Sequence, residues 1–109
     1  LLLVTCTGEE SAAAVWDLSN ASTAGAALKP VSVLIGHSDG VIDVKFSGDG
    51  ALIATASRDG PVKVWDAVTG RELRTLSGHS DSVSAVAFHP TTSTITECSS
   101  DQIVRSWTA

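Results

Sequence analysis

The stretch GHSDGVIDVKFSGDGALIATASRDGPVKVWD, residues 36–66, returns as GHSDSVSAVAFHPTTSTITECSSDQIVRSW at residues 78–107. Gly36-His37 recurs as Gly78-His79 and Trp65 recurs as Trp107, so both offsets are 42 (78 − 36 and 107 − 65). The same step lays Ser38 on Ser80, Asp39 on Asp81, Val41 on Val83, Val44 on Val86 and Phe46 on Phe88. Further along, Ile53 meets Ile95, Ser57 meets Ser99, Asp59 meets Asp101, Val62 meets Val104, and Lys63 meets Arg105 with its charge kept. A looser copy ends in Trp16-Asp17, 49 residues before Trp65-Asp66 (65 − 16). A fixed period of this size marks supersecondary units that bury their apolar faces only by stacking on one another.

Inside one unit the apolar period is two. Val41, Asp43 and Lys45 alternate with Ile42, Val44 and Phe46, and the runs Leu52 to Ser57, Pro61 to Asp66 and Glu72 to Leu76 follow. Ser47-Gly48-Asp49-Gly50, Arg58-Asp59-Gly60 and Val68-Thr69-Gly70-Arg71 separate them with the glycine and aspartate chemistry of tight turns. Each unit is therefore expected to be four short antiparallel strands, and the chain to be all-β.

A Gly-His pair, a strand–turn–strand, Ser-x-Asp and Val-Lys-Val-Trp-Asp in that order resemble the WD-repeat family of β-propellers, whose period is about 40–45 residues. The motif is full at 36–66, nearly full at 78–107 and degenerate at 1–35. The resemblance implies about two and a half blades of four-stranded antiparallel sheet. Residues 1–35 would be a partial blade holding its second, third and fourth strands, with a long connection at 18–30. Residues 36–77 would be a complete blade, and 78–109 a partial blade holding its first three strands. Ending at Trp107-Thr108-Ala109 fits the C-terminal part of a larger propeller, because the family closes its ring by lending an N-terminal strand to the last blade. The opening Leu1-Leu2-Leu3-Val4 has neither a methionine nor a basic flank and reads as a cut edge. The missing blades are then expected from polypeptide beyond this chain or from another chain.

His37, Thr55, Asp59 and Trp65 invite a catalytic reading, since aspartate, histidine and a hydroxyl form the hydrolase constellation. The resemblance implies instead a structural network from indole through hydroxyl and imidazole to carboxylate, which satisfies several buried polar groups together. Repetition at the blade interval favours structure, and no catalytic residue is expected. In the last unit the set reads His79, Asp101 and Trp107, with Glu97 where Thr55 stood, and a carboxylate there is costly unless protonated or turned to solvent. In the first unit, counting back from the tryptophan gives Cys6, Glu10 and Trp16. Only the middle unit should carry the intact network.

Three histidines and two cysteines lie scattered, with no C-x-x-C or H-x-x-x-H pair, so neither a metal nor a cofactor is expected. Gly48-Asp49-Gly50 is a hairpin turn, since it lacks the lysine of a phosphate loop and the alternating acids of a calcium loop. The net charge of −5, with seven scattered Lys and Arg, argues against nucleic acid. The longest apolar runs fall short of a membrane span, so no membrane partner is expected. Cys6 and Cys98 read as buried small hydrophobes of a reducing compartment. The expected setting is intracellular and cytoplasmic, with the nucleus, cytoskeleton or cilium as alternatives.

As a family, such propellers are platforms that recruit other proteins, chiefly through their upper rim. The matching positions are Gly40, Ile42 and Arg58 in the middle unit and Ser82, Ser84 and Ser100 in the last, with Arg58 the strongest single candidate. The expected function is a non-catalytic protein–protein interaction scaffold. Two alternatives stand beside it: the substrate-receptor portion of a larger enzyme or sensor, and a fixed structural component of a ciliary or cytoskeletal assembly.

Overall fold

The computed structural model describes residues 2–6, 11–17, 30–58, 60–76, 83–92, 94–99 and 104–108. Among them every regular element is a strand, and the strands form three antiparallel sheets. The first runs β1 (Leu2–Thr5), β2 (Ala12–Asp17), β3 (Pro30–Ile35). The second runs β4 (Val41–Phe46), β5 (Leu52–Ser57), β6 (Val62–Asp66), β7 (Glu72–Leu76). The third runs β8 (Val83–Phe88), β9 (Thr94–Ser99), β10 (Val104–Thr108). In each sheet the strands pair in chain order, each with its neighbour in sequence, and residues 18–29, which hold the expected long connection, lie outside the described residues.

The turns carry their own hydrogen bonds. Asp66 Oδ1 accepts from Val68 N at 2.8 Å and Thr69 N at 3.0 Å, while Gly70 N donates to the Asp66 carbonyl at 2.9 Å. Asp49 Oδ1 accepts from Ser47 Oγ at 2.6 Å and Ala51 N at 3.0 Å in the β4–β5 turn. An aspartate that captures backbone N–H groups two and three residues on is what stops a strand and reverses the chain.

The middle sheet is apolar on both faces, and each face is covered. Ile53, Trp65 and Ala67 pack with Val41 against Ala13, Val15 and Leu34 of the first sheet. Ala54, Ala56, Val62, Val64 and Leu76 pack against Val83, Val86 and Ile95 of the third, with Leu52, Phe88 and Trp107 at the margin. Burying one such side chain contributes about 1.5–3 kcal/mol, so these two layers hold the three sheets face to face. A hydrogen bond also crosses between sheets: Val86 N on β8 donates to Asp43 Oδ2 on β4 at 3.1 Å.

A chain holding only part of a ring of blades is expected to leave Val4, Val15, Val86 and Ile103 against water, and the outer faces differ from that expectation. Val15 is fully buried, Val86 is nearly so, and Val4 packs on the layer between the first two sheets; Ile103 lies outside the described residues. The side chains that do meet water are Leu3, Val31, Val33 and Ile35 on the first sheet and Val104 on the third. The physical reason is that both faces of the first sheet are apolar. Alternation fixes which residues share a face, and it leaves open which face the neighbour covers.

Candidate functional site

β5 and β6 place Thr55 and Trp65 on the same face of the middle sheet, diagonally across the pair, since Thr55 stands opposite Lys63 and Ile53 opposite Trp65. The Trp65 indole N–H donates to Thr55 Oγ1 at 2.9 Å. His37, in the segment before β4, brings Nε2 to 2.5 Å from the same hydroxyl oxygen, and its ring lies 6.2 Å from the Trp65 ring at a tilt of 54°. All three residues are buried, Thr55 completely. A threonine hydroxyl has one proton and two lone pairs, so it serves the indole and the imidazole together. Asp59, the expected end of this chain, lies outside the described residues, as do His79 and Asp101.

The same geometry recurs in the first sheet with a shift. Trp16 Nε1 donates to Thr5 Oγ1 at 2.9 Å, so Thr5, and not Cys6, is the structural counterpart of Thr55. The donor and acceptor are eleven residues apart there and ten apart in the middle sheet, so the β1–β2 connection is one residue longer. Here the pair is exposed. Cys6 is free, and burial raises its thiol pKa. In the third sheet Trp107 stands opposite Ile95, which puts Glu97 at the Thr55 position. Glu97 is buried, and the buried Trp107 indole N–H reaches no acceptor among the described residues.

Beside the Thr55 chain sits a polar group that the sequence reading did not find. Lys63 is almost wholly buried. Its Nζ donates to Glu72 Oε1 at 2.5 Å and to Thr75 Oγ1 at 3.0 Å, and Thr75 Oγ1 donates to Glu72 at 2.7 Å. The Lys63 hydrogen bond, and after it that of Thr75, holds the Glu72 carboxyl below its ordinary range. The usable signal was Lys63 itself, one pleat from Trp65 on the buried face and matched by Arg105. A buried ammonium requires a carboxylate.

Among the proposed contact residues, Arg58 N donates to the Gly40 carbonyl at 3.0 Å, so the chain entering β4 and the β5–β6 turn meet at one end of the sheet. Arg58 is exposed, Ile42 is half-buried and Gly40 is buried. Ser82 and Ser100 lie outside the described residues, and Ser84 is placed only as a position on β8. The alternating sheets and their repeated tryptophan–hydroxyl bond are the geometry of one unit used more than once, and the family model described as "WD domain, G-beta repeat" matches residues 28–66 and 70–108.

The chain belongs to the WD-repeat family.

Relatives among curated proteins include Nuclear distribution protein PAC1 of Arthroderma benhamiae, 40% identical over 84 residues, covering 70% of this chain and 17% of that protein. Ribosome assembly protein 4 of Chaetomium thermophilum is 40% identical over 60 residues, covering 55% of this chain and 11% of that protein. The probable E3 ubiquitin ligase complex SCF subunit sconB of Aspergillus clavatus is 44% identical over 46 residues, covering 42% and 6%. The chain thus spans less than a fifth of each of these relatives. Among the described residues there is no helix long and apolar enough to cross a membrane.

Proposed function

We propose that this WD-repeat chain is part of a propeller that serves as a non-catalytic platform, recruiting or positioning partner proteins in a multiprotein complex. The observation that carries the reading is the state of the constellation that invites a catalytic story. The Thr55 hydroxyl is fully buried, accepts the Trp65 indole and faces His37 in the layer between two sheets, where a substrate has no approach. What the chain offers to solvent is Arg58, whose backbone N bonds the Gly40 carbonyl.

In this reading residues 36–77 are one blade, with 1–35 and 78–109 contributing parts of its neighbours. The outer faces of the flanking sheets receive further blades, from the same polypeptide or from another chain. A reducing, cytoplasmic setting fits Cys6, which follows β1 and carries a free thiol. The experiment is affinity capture from cells with the whole protein and with its Arg58→Glu variant. Loss of specific co-purifying proteins from a variant with an unchanged melting temperature supports the platform. An unchanged set of partners removes the Arg58 end from it.

A further inference from the structure

At the end of the sheets away from Arg58, the β4–β5 and β8–β9 turns lean together. A Cβ on Gly48 would stand 2.7 Å from the Pro90 carbonyl oxygen, so the two turns touch backbone to backbone there, and only glycine permits it. Between them lies a cleft of about 170 Å³. Its apolar lining is Leu52 and Phe88, both anchored in the layer between the second and third sheets. The rest of the lining is Ser47, Gly48, Asp49, Pro90, Thr91 and Thr92, of which Asp49 is the charged member; Thr91 Oγ1 lies 3.4 Å from His89 Nδ1, and Thr92 Oγ1 accepts from Thr94 N at 3.4 Å. Both bonds from Ser47 and Ala51 fall on Asp49 Oδ1, which leaves Oδ2 capacity to accept.

We propose that this cleft seats one cationic side chain, an arginine or a lysine, presented by a partner protein. Size sets the first limit. An engineered cavity of about 150 Å³ takes benzene, so this space admits a single side chain and is too small for a nucleotide. Charge sets the second. The lining holds one carboxylate and no cation, in a chain of net charge −5, so an anionic group is repelled and a guanidinium or ammonium is drawn in. The lining sets the third. Leu52 and the Phe88 ring accept the methylene stem that arginine and lysine carry, and the ring adds attraction for the cation. The hydrogen bonds from Ser47 and Ala51 N keep the Asp49 carboxyl below its ordinary range, so the anion is present throughout the physiological pH range.

The proposal rests on the platform reading, and its test is separable from it. Methyl NMR of the whole protein, labelled at leucine, alanine and threonine, is titrated with acetyl-arginine-amide, with acetyl-glutamine-amide as the uncharged control. The Leu52, Thr91 and Thr92 methyls should shift saturably in the millimolar range, the scale for one side chain. Asp49→Asn, which keeps the turn acceptor and removes the charge, should weaken binding about fivefold. Raising the ionic strength of the wild type from about 0.05 to about 0.5 M should weaken it as well, a check that needs no variant. Equal shifts from the glutamine derivative, insensitivity to salt, or silence of those three residues overturns the cationic seat. Partner capture at Arg58 is untouched by any of these outcomes.

Discussion

Trp65 donates its indole N–H across the β5–β6 pair to Thr55 at 2.9 Å, and Trp16 makes the same 2.9 Å bond to Thr5 in the first sheet. The two bonds match in length and differ in surroundings: the first is buried with His37 on the same oxygen, and the second is exposed. Thr55→Val should therefore strand the indole and lower stability by about 1–3 kcal/mol, the cost of an unsatisfied buried donor. Thr5→Val, where water replaces the hydroxyl, should cost less than about 1 kcal/mol. Urea denaturation of the whole protein compares them, and equal losses would show that burial does not set the worth of the bond.

The third sheet offers the reverse experiment. Glu97 occupies the Thr55 position, and the buried Trp107 N–H finds no acceptor among the described residues. Glu97→Thr puts a hydroxyl where the register places one in the middle sheet and removes a buried carboxyl. A gain of about 1 kcal/mol is expected at neutral pH. A loss would mean that the carboxyl has an essential structural role.

Acid should loosen the turns. Asp66 is held below its ordinary pKa by the Thr69 and then the Val68 backbone N–H, and Asp49 by the Ser47 hydroxyl and then the Ala51 N–H. A depressed folded pKa contributes stability above the unfolded value, about 3.9 for aspartate, and that contribution is lost as pH falls through the folded one. Asp66→Asn keeps an acceptor but not the charge. The variant should be less stable than wild type at pH 7, with the difference shrinking below about pH 4. A difference that stays constant on acidification would assign the effect to packing.

Most of the fold was legible because the turns and the period of two agree. The Asp66 and Asp49 turns fall where Asp and Gly cluster, and β4, β5 and β7 have the bounds that the apolar runs gave. Two features were not legible. Counting back from Trp16 landed on Cys6, because the β1–β2 connection holds one residue more than β5–β6, and only the pairing of Leu3 with Trp16 reveals Thr5. Val15 was set facing water because Ala13-x-Val15 and Ala14-x-Trp16 are both apolar, so alternation could not choose between the faces. The platform residues were the least legible. Exposure decides them, and Gly40 and Arg58 differ in exposure while meeting in one hydrogen bond.

Two glycines in equivalent backbone conformation should tolerate alanine differently. Gly50 and Gly70 both have φ of +74°, where a Cβ costs about 1–2 kcal/mol. At Gly50 the added methyl meets open space; at Gly70 it would stand 2.9 Å from the Ser32 Cβ on β3. Gly70→Ala should therefore exceed Gly50→Ala in thermal destabilisation, since it also pushes the β6–β7 turn off the first sheet. Equal shifts in Tm would show that the contact with Ser32 gives way without cost.

The outer face of the first sheet should make the isolated 109-residue chain associate. Leu3, Val31, Val33 and Ile35 are 43, 53, 46 and 75% exposed, on the side of the sheet that the middle sheet does not cover. Each would contribute about 1 kcal/mol if the exposed half of its surface were buried, and the four together are comparable to the lower end of the 5–15 kcal/mol margin of a small domain. The equivalent face of the middle sheet, with Ile53 and Trp65, is sealed by the first sheet. An uncovered copy of such a face is a template for association, as is the open edge of a terminal sheet. Sedimentation velocity of the isolated chain at micromolar concentration should show oligomers or aggregate, shifted towards monomer by Val33→Lys combined with Ile35→Lys. A folded, soluble wild-type monomer would show that the exposed apolar face does not drive association.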